Sequence, residues 1–166
     1  MGNTAVVGSG KSSRQIPLRE HERAAQRPFQ FAVLSGINPV AKHVAKWAPR
    51  PGNTEYDGAL RYLSLQFSHA LARRLVAKAR RTPRTDHVAK DVLRASKLPL
   101  LPTDEKHVAD NLKKIRKGKP LAPVILIQGD LMSGRSLTIG DGYHRLCAAC
   151  HADEDSPVAV ILVAPG

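Results

Sequence analysis

The clearest hydrophobic periodicity in the chain falls on residues 56–80, where Leu60, Leu63, Phe67, Leu71 and Leu75 recur at intervals of three and four. That spacing lines the side chains along one face of a helix. Arg73, Arg74, Lys78 and Arg80 crowd its C-terminal end, where the helix dipole favours cations. The pattern predicts one amphipathic helix, ended by Pro83, whose simplest role is to pack on a core and present a solvated basic end. A shorter helix is predicted over His87–Ala95, followed by the extended connector Leu98-Pro99-Leu100-Leu101-Pro102. The next helix carries a full set of start and stop signals. Thr103 reads as its N-cap and Asp104 and Glu105 as its first turn, with Val108, Leu112 and Ile115 as its apolar stripe. Lys113, Lys114, Arg116 and Lys117 fill its last turn, and Gly118 and Pro120 stop it.

Beyond Pro123 the period changes. Val124-Ile125-Leu126-Ile127 is a short unbroken apolar run rich in β-branched residues, which predicts a strand buried on both faces. Gly129-Asp130 and Ser133-Gly134 mark a turn or long hairpin loop, and Ser136–Ile139 alternates as a second strand. A glycine turn, a helix over Tyr143–His151, the acidic loop Asp153-Glu154-Asp155 and a strand over Val158–Val163 complete the order. Helix, strand, strand, helix, strand describes an α/β (α+β) unit with a small mixed sheet. Residues 1–54 lack periodicity and are interrupted by Pro17, Pro28, Pro39, Pro49 and Pro51. They predict a basic, disordered or loosely attached tail with one short helix over Val40–Trp47. The expected organisation is a tail at 1–54, a helical region at 55–97 and the α/β domain at 98–166.

Charge adds one thing to this picture. The formal net charge is +12, and all of it lies in residues 1–100, which carry 18 Lys and Arg against 6 Asp and Glu. Residues 101–166 carry eight of each. A basic half of this kind suits DNA or another polyanion, and a merely solvated region is the alternative. The longest apolar runs, Val124–Ile127 and Val158–Ala164, are too short to span a bilayer, so no membrane association is expected. No secretory leader pattern is visible at the N-terminus, which begins MGNTAVVGSGKSS, and Val6 replaces the Ser or Thr that N-myristoylation requires. A cytoplasmic location is expected, with Cys147 and Cys150 reduced.

The candidate chemistry lies at Gly140-Asp141-Gly142-Tyr143-His144-Arg145, between a strand and a helix. Glycines let the backbone turn tightly and let a ligand approach closely. The amides of a first helical turn attract phosphate or carboxylate, and Arg145 with His144 would add charge-assisted hydrogen bonds. The structural alternative has Asp141 capping the helix and Arg145 paired with the acidic loop.

The stretch from about Asp91 to Val163 resembles the ParB/sulfiredoxin superfamily. The resemblance rests on Leu112, Pro123-Val124-Ile125-Leu126-Ile127, Leu137-Thr138-Ile139, Gly142-Tyr143-His144-Arg145-Leu146, Ala148-Ala149 and Pro157–Val163. It covers a little under half of the chain. It implies a ParB/sulfiredoxin-like topology in which the turn grips nucleotide phosphates, with Gly142, His144 and Arg145 as the contacts. The cofactor it implies is a nucleoside triphosphate with Mg²⁺. Phosphoryl transfer or nucleotide hydrolysis would use Arg145 to stabilise phosphate charge and His144 to donate a hydrogen bond or proton. Asp141 would position the turn or a metal ion, and Glu105 or Asp104 would supply a base. Tyr143 stands where sulfiredoxins carry their catalytic cysteine and where ParB-type partition proteins carry Glu. Neither sulfinic acid reduction nor the partition proteins' CTP hydrolysis is therefore implied. Partition proteins also continue into a helix-turn-helix domain, whereas this sequence ends at Gly166, so a stand-alone relative is expected. A non-enzymatic nucleic-acid-binding accessory protein, acting through the basic half, is the competing reading.

Two further patterns carry less. Cys147-Ala148-Ala149-Cys150-His151 fits C-x-x-C-H, but small cysteines packed on a buried helix explain it better than haem or a metal held by one helix. Ala5–Ser12 fits a relaxed phosphate-binding loop, but no buried strand precedes it.

Overall fold

The computed structural model describes residues 44–130 and 132–165. The predicted tail up to residue 43, including the Ala5–Ser12 loop, lies outside them. Among the described residues five helices and four strands follow in the order α1 (Asn53–Gln66), α2 (His69–Ala79), β1 (Thr85–Val88), α3 (Ala89–Ser96), α4 (Lys106–Arg116), β2 (Val124–Ile127), β3 (Thr138–Asp141), α5 (Tyr143–Ala152) and β4 (Pro157–Val163). The strands form one mixed sheet in the order β1-β4-β2-β3. β4 runs parallel to β2 and antiparallel to β1, and β2 runs antiparallel to β3. The fold is α+β.

The unbroken apolar run of β2 is explained by helices on both faces of the sheet. Val124 and Leu126 point into a core shared with α3, α4 and α5. Ile125 and Ile127, with Ile161 and Val163 of β4, point into a second core made with Tyr56, Ala59 and Leu63 of α1 and Ala72, Leu75, Val76 and Ala79 of α2. The expected boundary between a helical region at 55–97 and an α/β domain at 98–166 therefore does not exist as a packing boundary. β1, from the first segment, pairs with β4 from the second, and α1 and α2 seal one face of the sheet. Residues 44–54 also join the fold. Ala45 is buried, and Trp47 bridges Leu121 and donates its indole N–H to the Pro157 carbonyl at 3.1 Å. Residues 44–47 are thus extended where a helix was expected; the remainder of Val40–Trp47 falls outside the described residues.

Several local expectations shift. The single helix predicted over 56–80 is two. Phe67 is extended, its N–H bonded to the Leu63 carbonyl, and the Ser68 hydroxyl accepts from the Leu71 amide to start α2. The apolar stripe runs through the break because both helices cover one sheet face, so periodicity alone does not register it. The helix predicted over His87–Ala95 starts only at Ala89, because His87 and Val88 belong to β1, a sheet-edge strand whose first three residues are exposed. The N-cap of α4 is Glu105, whose carboxylate accepts from the Val108 amide at 2.8 Å, in place of Thr103. Gly118 does adopt the left-handed conformation (φ 64°) expected of a helix stop.

If α1 and α2 are integral to the fold, deleting residues 1–85 should abolish cooperative unfolding. The deletion uncovers Ile125, Ile127, Ile161 and Val163, each worth about 1.5–3 kcal/mol of burial. Together these rival the whole stability of a domain, about 5–15 kcal/mol. Deletion of residues 1–43 alone should leave a sharp urea transition. A cooperative transition in the longer deletion would show that the sheet folds without its second helical layer.

Candidate functional site

The turn expected at 140–145 is built differently from its sequence reading. Gly140 and Asp141 belong to β3, and only Gly142, at φ 101°, takes the left-handed conformation. The register of β2 and β3 explains the difference. Leu126 pairs with Ile139, but the next residue, Ile125, pairs with Asp141. Gly140 is thus the extra residue of a β-bulge. Without the bulge, Asp141 would share a face with Ile139 and point into the α3–α5 core. With it, Asp141 shares the face of Ile125 and meets α1. A Cβ placed on Gly58 of α1 would lie 3.0 Å from Asp141 Oδ1, so the glycine allows this approach.

Gly142 then opens α5. A Cβ there would stand 3.2 Å from Val124 Cα and Cγ2 and 3.0 Å from Arg145 Nη2. The Arg145 guanidinium therefore folds back beside the helix start. Its Nη2 donates to Asp141 Oδ2 at 2.5 Å, and its Nη1 lies 3.9 Å from Glu55 Oε1. Its Nε is buried and finds no acceptor among the described residues. Asp141 does not cap α5, and Arg145 does not pair with the 153–155 loop. That loop pairs through Asp155 with Lys90, whose ammonium pKa is raised by this hydrogen bond.

His144 sits at the outer rim, about two-fifths exposed, with Nε2 3.8 Å from Glu105 Oε2 and its ring centroid 5.0 Å from that of His107. Of the two bases expected from α4, Glu105 reaches the site and Asp104 stays exposed on the preceding turn. Tyr143 donates its hydroxyl to the Pro99 carbonyl and so fastens α5 to the 98–102 connector, its ring centroid 5.9 Å from that of His144. Glu55 and His107 were not legible as site residues. Glu55 carries only a capping signal, its Oε2 accepting from the Gly52 amide at 2.9 Å. His107 is placed by the docking of α4 on α5.

Cys147 and Cys150 lie unbridged in the core. His151 contacts the Leu101 carbonyl through Nε2 at 2.7 Å. No group of three or more His, Cys, Asp or Glu side chains able to hold a metal ion occurs among the described residues. No helix of the described residues is long and apolar enough to cross a membrane. No protein-family model matches the chain, and no curated protein or solved structure matches it significantly.

Burial pushes both thiols up, Cys150 to about 11. An unfolded thiol loses its proton near pH 9, so between about pH 9 and 11 the folded chain holds the extra proton at Cys150. Rising pH therefore destabilises the fold through that window. Cys150→Ala should flatten the alkaline arm of a stability-versus-pH curve relative to wild type. Superimposable alkaline arms would show that the thiol is not held protonated by the fold.

Proposed function

We propose that the protein binds a phosphate-bearing ligand of the nucleotide class at the Gly142–Arg145 turn, with Mg²⁺ as the accompanying cation. The observation that carries this reading is the incomplete satisfaction of Arg145. A guanidinium offers five N–H donors; here one makes a close bond to Asp141, the approach to Glu55 is long, and Nε is unmatched. This donor capacity stands beside Gly142, at the positive end of α5, where an anion also meets unpaired helix amides. Asp141 and Glu55 would repel a bare phosphate. Mg²⁺ is commonly held by one or two carboxylates together with substrate phosphates, and these two side chains fit that role. His144, at the rim, would donate to the ligand, with Glu105 orienting its ring. The strand, glycine and helix sequence of the turn, and its resemblance to the ParB/sulfiredoxin superfamily, support the same reading.

The structure also dictates how to test it. Arg145→Ala would leave Asp141, about three-quarters buried, without its counter-charge, at a cost of about 3 kcal/mol. Lost binding would then be hard to separate from lost folding. His144→Ala alters a partly exposed ring and should leave stability within about 0.5 kcal/mol, while weakening nucleotide binding about tenfold. Arg145→Lys keeps the charge and loses the fork, and should weaken binding further. Gly142→Ala forces an unfavourable φ and a contact with Val124; it should lower the melting temperature and abolish binding. The measurement is calorimetric titration with ATP, CTP and inorganic phosphate, each with and without Mg²⁺, and phosphate release reports hydrolysis. Wild-type protein that binds none of these overturns the reading.

A further inference from the structure

The charge surplus has a structural address separate from the turn. Between Gly58 and Thr85 the chain carries seven Lys and Arg residues and no Asp or Glu. Most of these cations fall on α2 and the turn that follows it. The apolar side of α2 (Ala72, Leu75, Val76 and Ala79) is buried against the sheet, so its cations are displayed outward on a helix that the core holds rigid. Three of the seven are accounted for or set apart. Arg80 lies over the Tyr56 ring, with its centroid 4.3 Å away, and donates to Asn53. Arg84 pairs with Asp86. Arg61 belongs to α1.

The remaining four, Arg73, Arg74, Lys78 and Arg81, are exposed, and no carboxylate among the described residues pairs with them. Lys78 is steadied by donating to the Ala164 carbonyl at 2.8 Å, which leaves its charge uncompensated. Arg74 and Lys78 are four residues apart and share a face of α2, and Arg81 follows in the turn after the helix, its backbone N–H bonded to the Lys78 carbonyl at 3.0 Å. Together with Ala77, Thr82 and Pro83 they line an open groove of about 500 Å³.

We propose that this groove and the flanking Arg73 form an interface for the phosphodiester backbone of a nucleic-acid duplex. Three observations select this partner. Three of the four uncompensated cations are arginines, whose planar fork matches phosphate oxygens. No Phe, Trp or Tyr occurs between Ser68 and Thr85, so the surface has no platform for stacking unpaired bases and suits a paired backbone. The apolar face of α2 is occupied by the core, which leaves the helix nothing to insert into a lipid surface. Contacts of this kind position a protein on a duplex and carry no base sequence information. The site does not depend on nucleotide binding at the turn, and His144→Ala should leave it intact.

The test uses the full chain and fluorescence anisotropy with a labelled 20-base-pair DNA of arbitrary sequence, from about 50 to 200 mM salt. Each phosphate contact contributes about 0.9 to the log–log salt slope. Four contacts predict a slope near −3.6, and the triple variant Arg74→Gln, Lys78→Gln, Arg81→Gln should retain only about −0.9 while losing at least tenfold in affinity at 50 mM salt. The milder pair Arg73→Gln, Arg81→Gln should lie between, and both variants should melt with the wild type. A control triple on and after α4, Lys114→Gln, Lys117→Gln, Lys119→Gln, removes the same net charge from another exposed surface and should bind almost as wild type. Equal losses in the two triples would show that net charge, not this groove, does the binding. Unchanged affinity in the α2 triple overturns the proposal. So does wild-type binding to vesicles of anionic phospholipid, or to single strands, in preference to duplex. Duplex RNA, titrated in parallel, distinguishes the two sources of the same backbone chemistry.

Discussion

One residue of slippage between β2 and β3 decides which face of the sheet the end of β3 presents. Both faces of the sheet are covered by helices, so each position of the central strand β2 is committed to one core or the other, and a charged side chain turned into either core would be buried at high cost. The bulge at Gly140 resolves this for Asp141. It moves the carboxylate out of line with Ile139 and onto the α1 side, where Gly58 leaves room and Arg145 supplies the opposite charge. The Arg145 pairing in turn holds the guanidinium against Gly142 at the start of α5. Bulge, glycine contact and ion pair are one device, and each part is needed to place the next.

The same two-sided burial explains the role of the N-terminal half of the described fold. α1 and α2 are not an appendage to an α/β unit; they provide the apolar cover for Ile125, Ile127, Ile161 and Val163. α1 also provides Gly58 and Glu55 at the candidate site. Anything that shifts α1 on the sheet therefore acts on both stability and the surroundings of Arg145. Mutational effects at these positions are expected to be non-additive, since the residues share one network.

The sequence made some of this visible and not the rest, for identifiable reasons. β2 and β4 were legible because burial on two faces demands unbroken β-branched runs, and α4 because its stripe and stop residues are strong local signals. β1 was not legible: Thr85, Asp86 and His87 lie exposed at a sheet edge, and only pairing with β4 makes them a strand. The bulge was invisible because Gly140 next to Asp141 reads equally well as a turn, and a register shift exists only relative to a partner strand. Arg145 was legible as a candidate site residue from the turn itself. Its environment was not, because Asp141 reaches it through the bulge and Glu55 through helix packing, neither of which has a local signature.

The two anion-binding surfaces proposed for this protein show how burial changes what a positive charge is for. Arg145 is largely withdrawn from water, and a lone charge there would be costly, so the fold supplies Asp141 and sets Glu55 nearby. What remains to it is donor geometry: N–H groups aimed at a fixed place beside a helix terminus, which favours a small ligand whose oxygens and metal fit that place. Arg73, Arg74, Lys78 and Arg81 face water and need no partner to be stable there. Their charge is uncompensated but screened, with a reach of about 8–10 Å at physiological salt. Such a surface attracts an extended polyanion through many weak contacts and fixes no single ligand atom. A compensated, buried guanidinium and an uncompensated, exposed basic face therefore call for different partners, and the fold keeps them apart, one on α5 and the other on α2 and the turn that follows it.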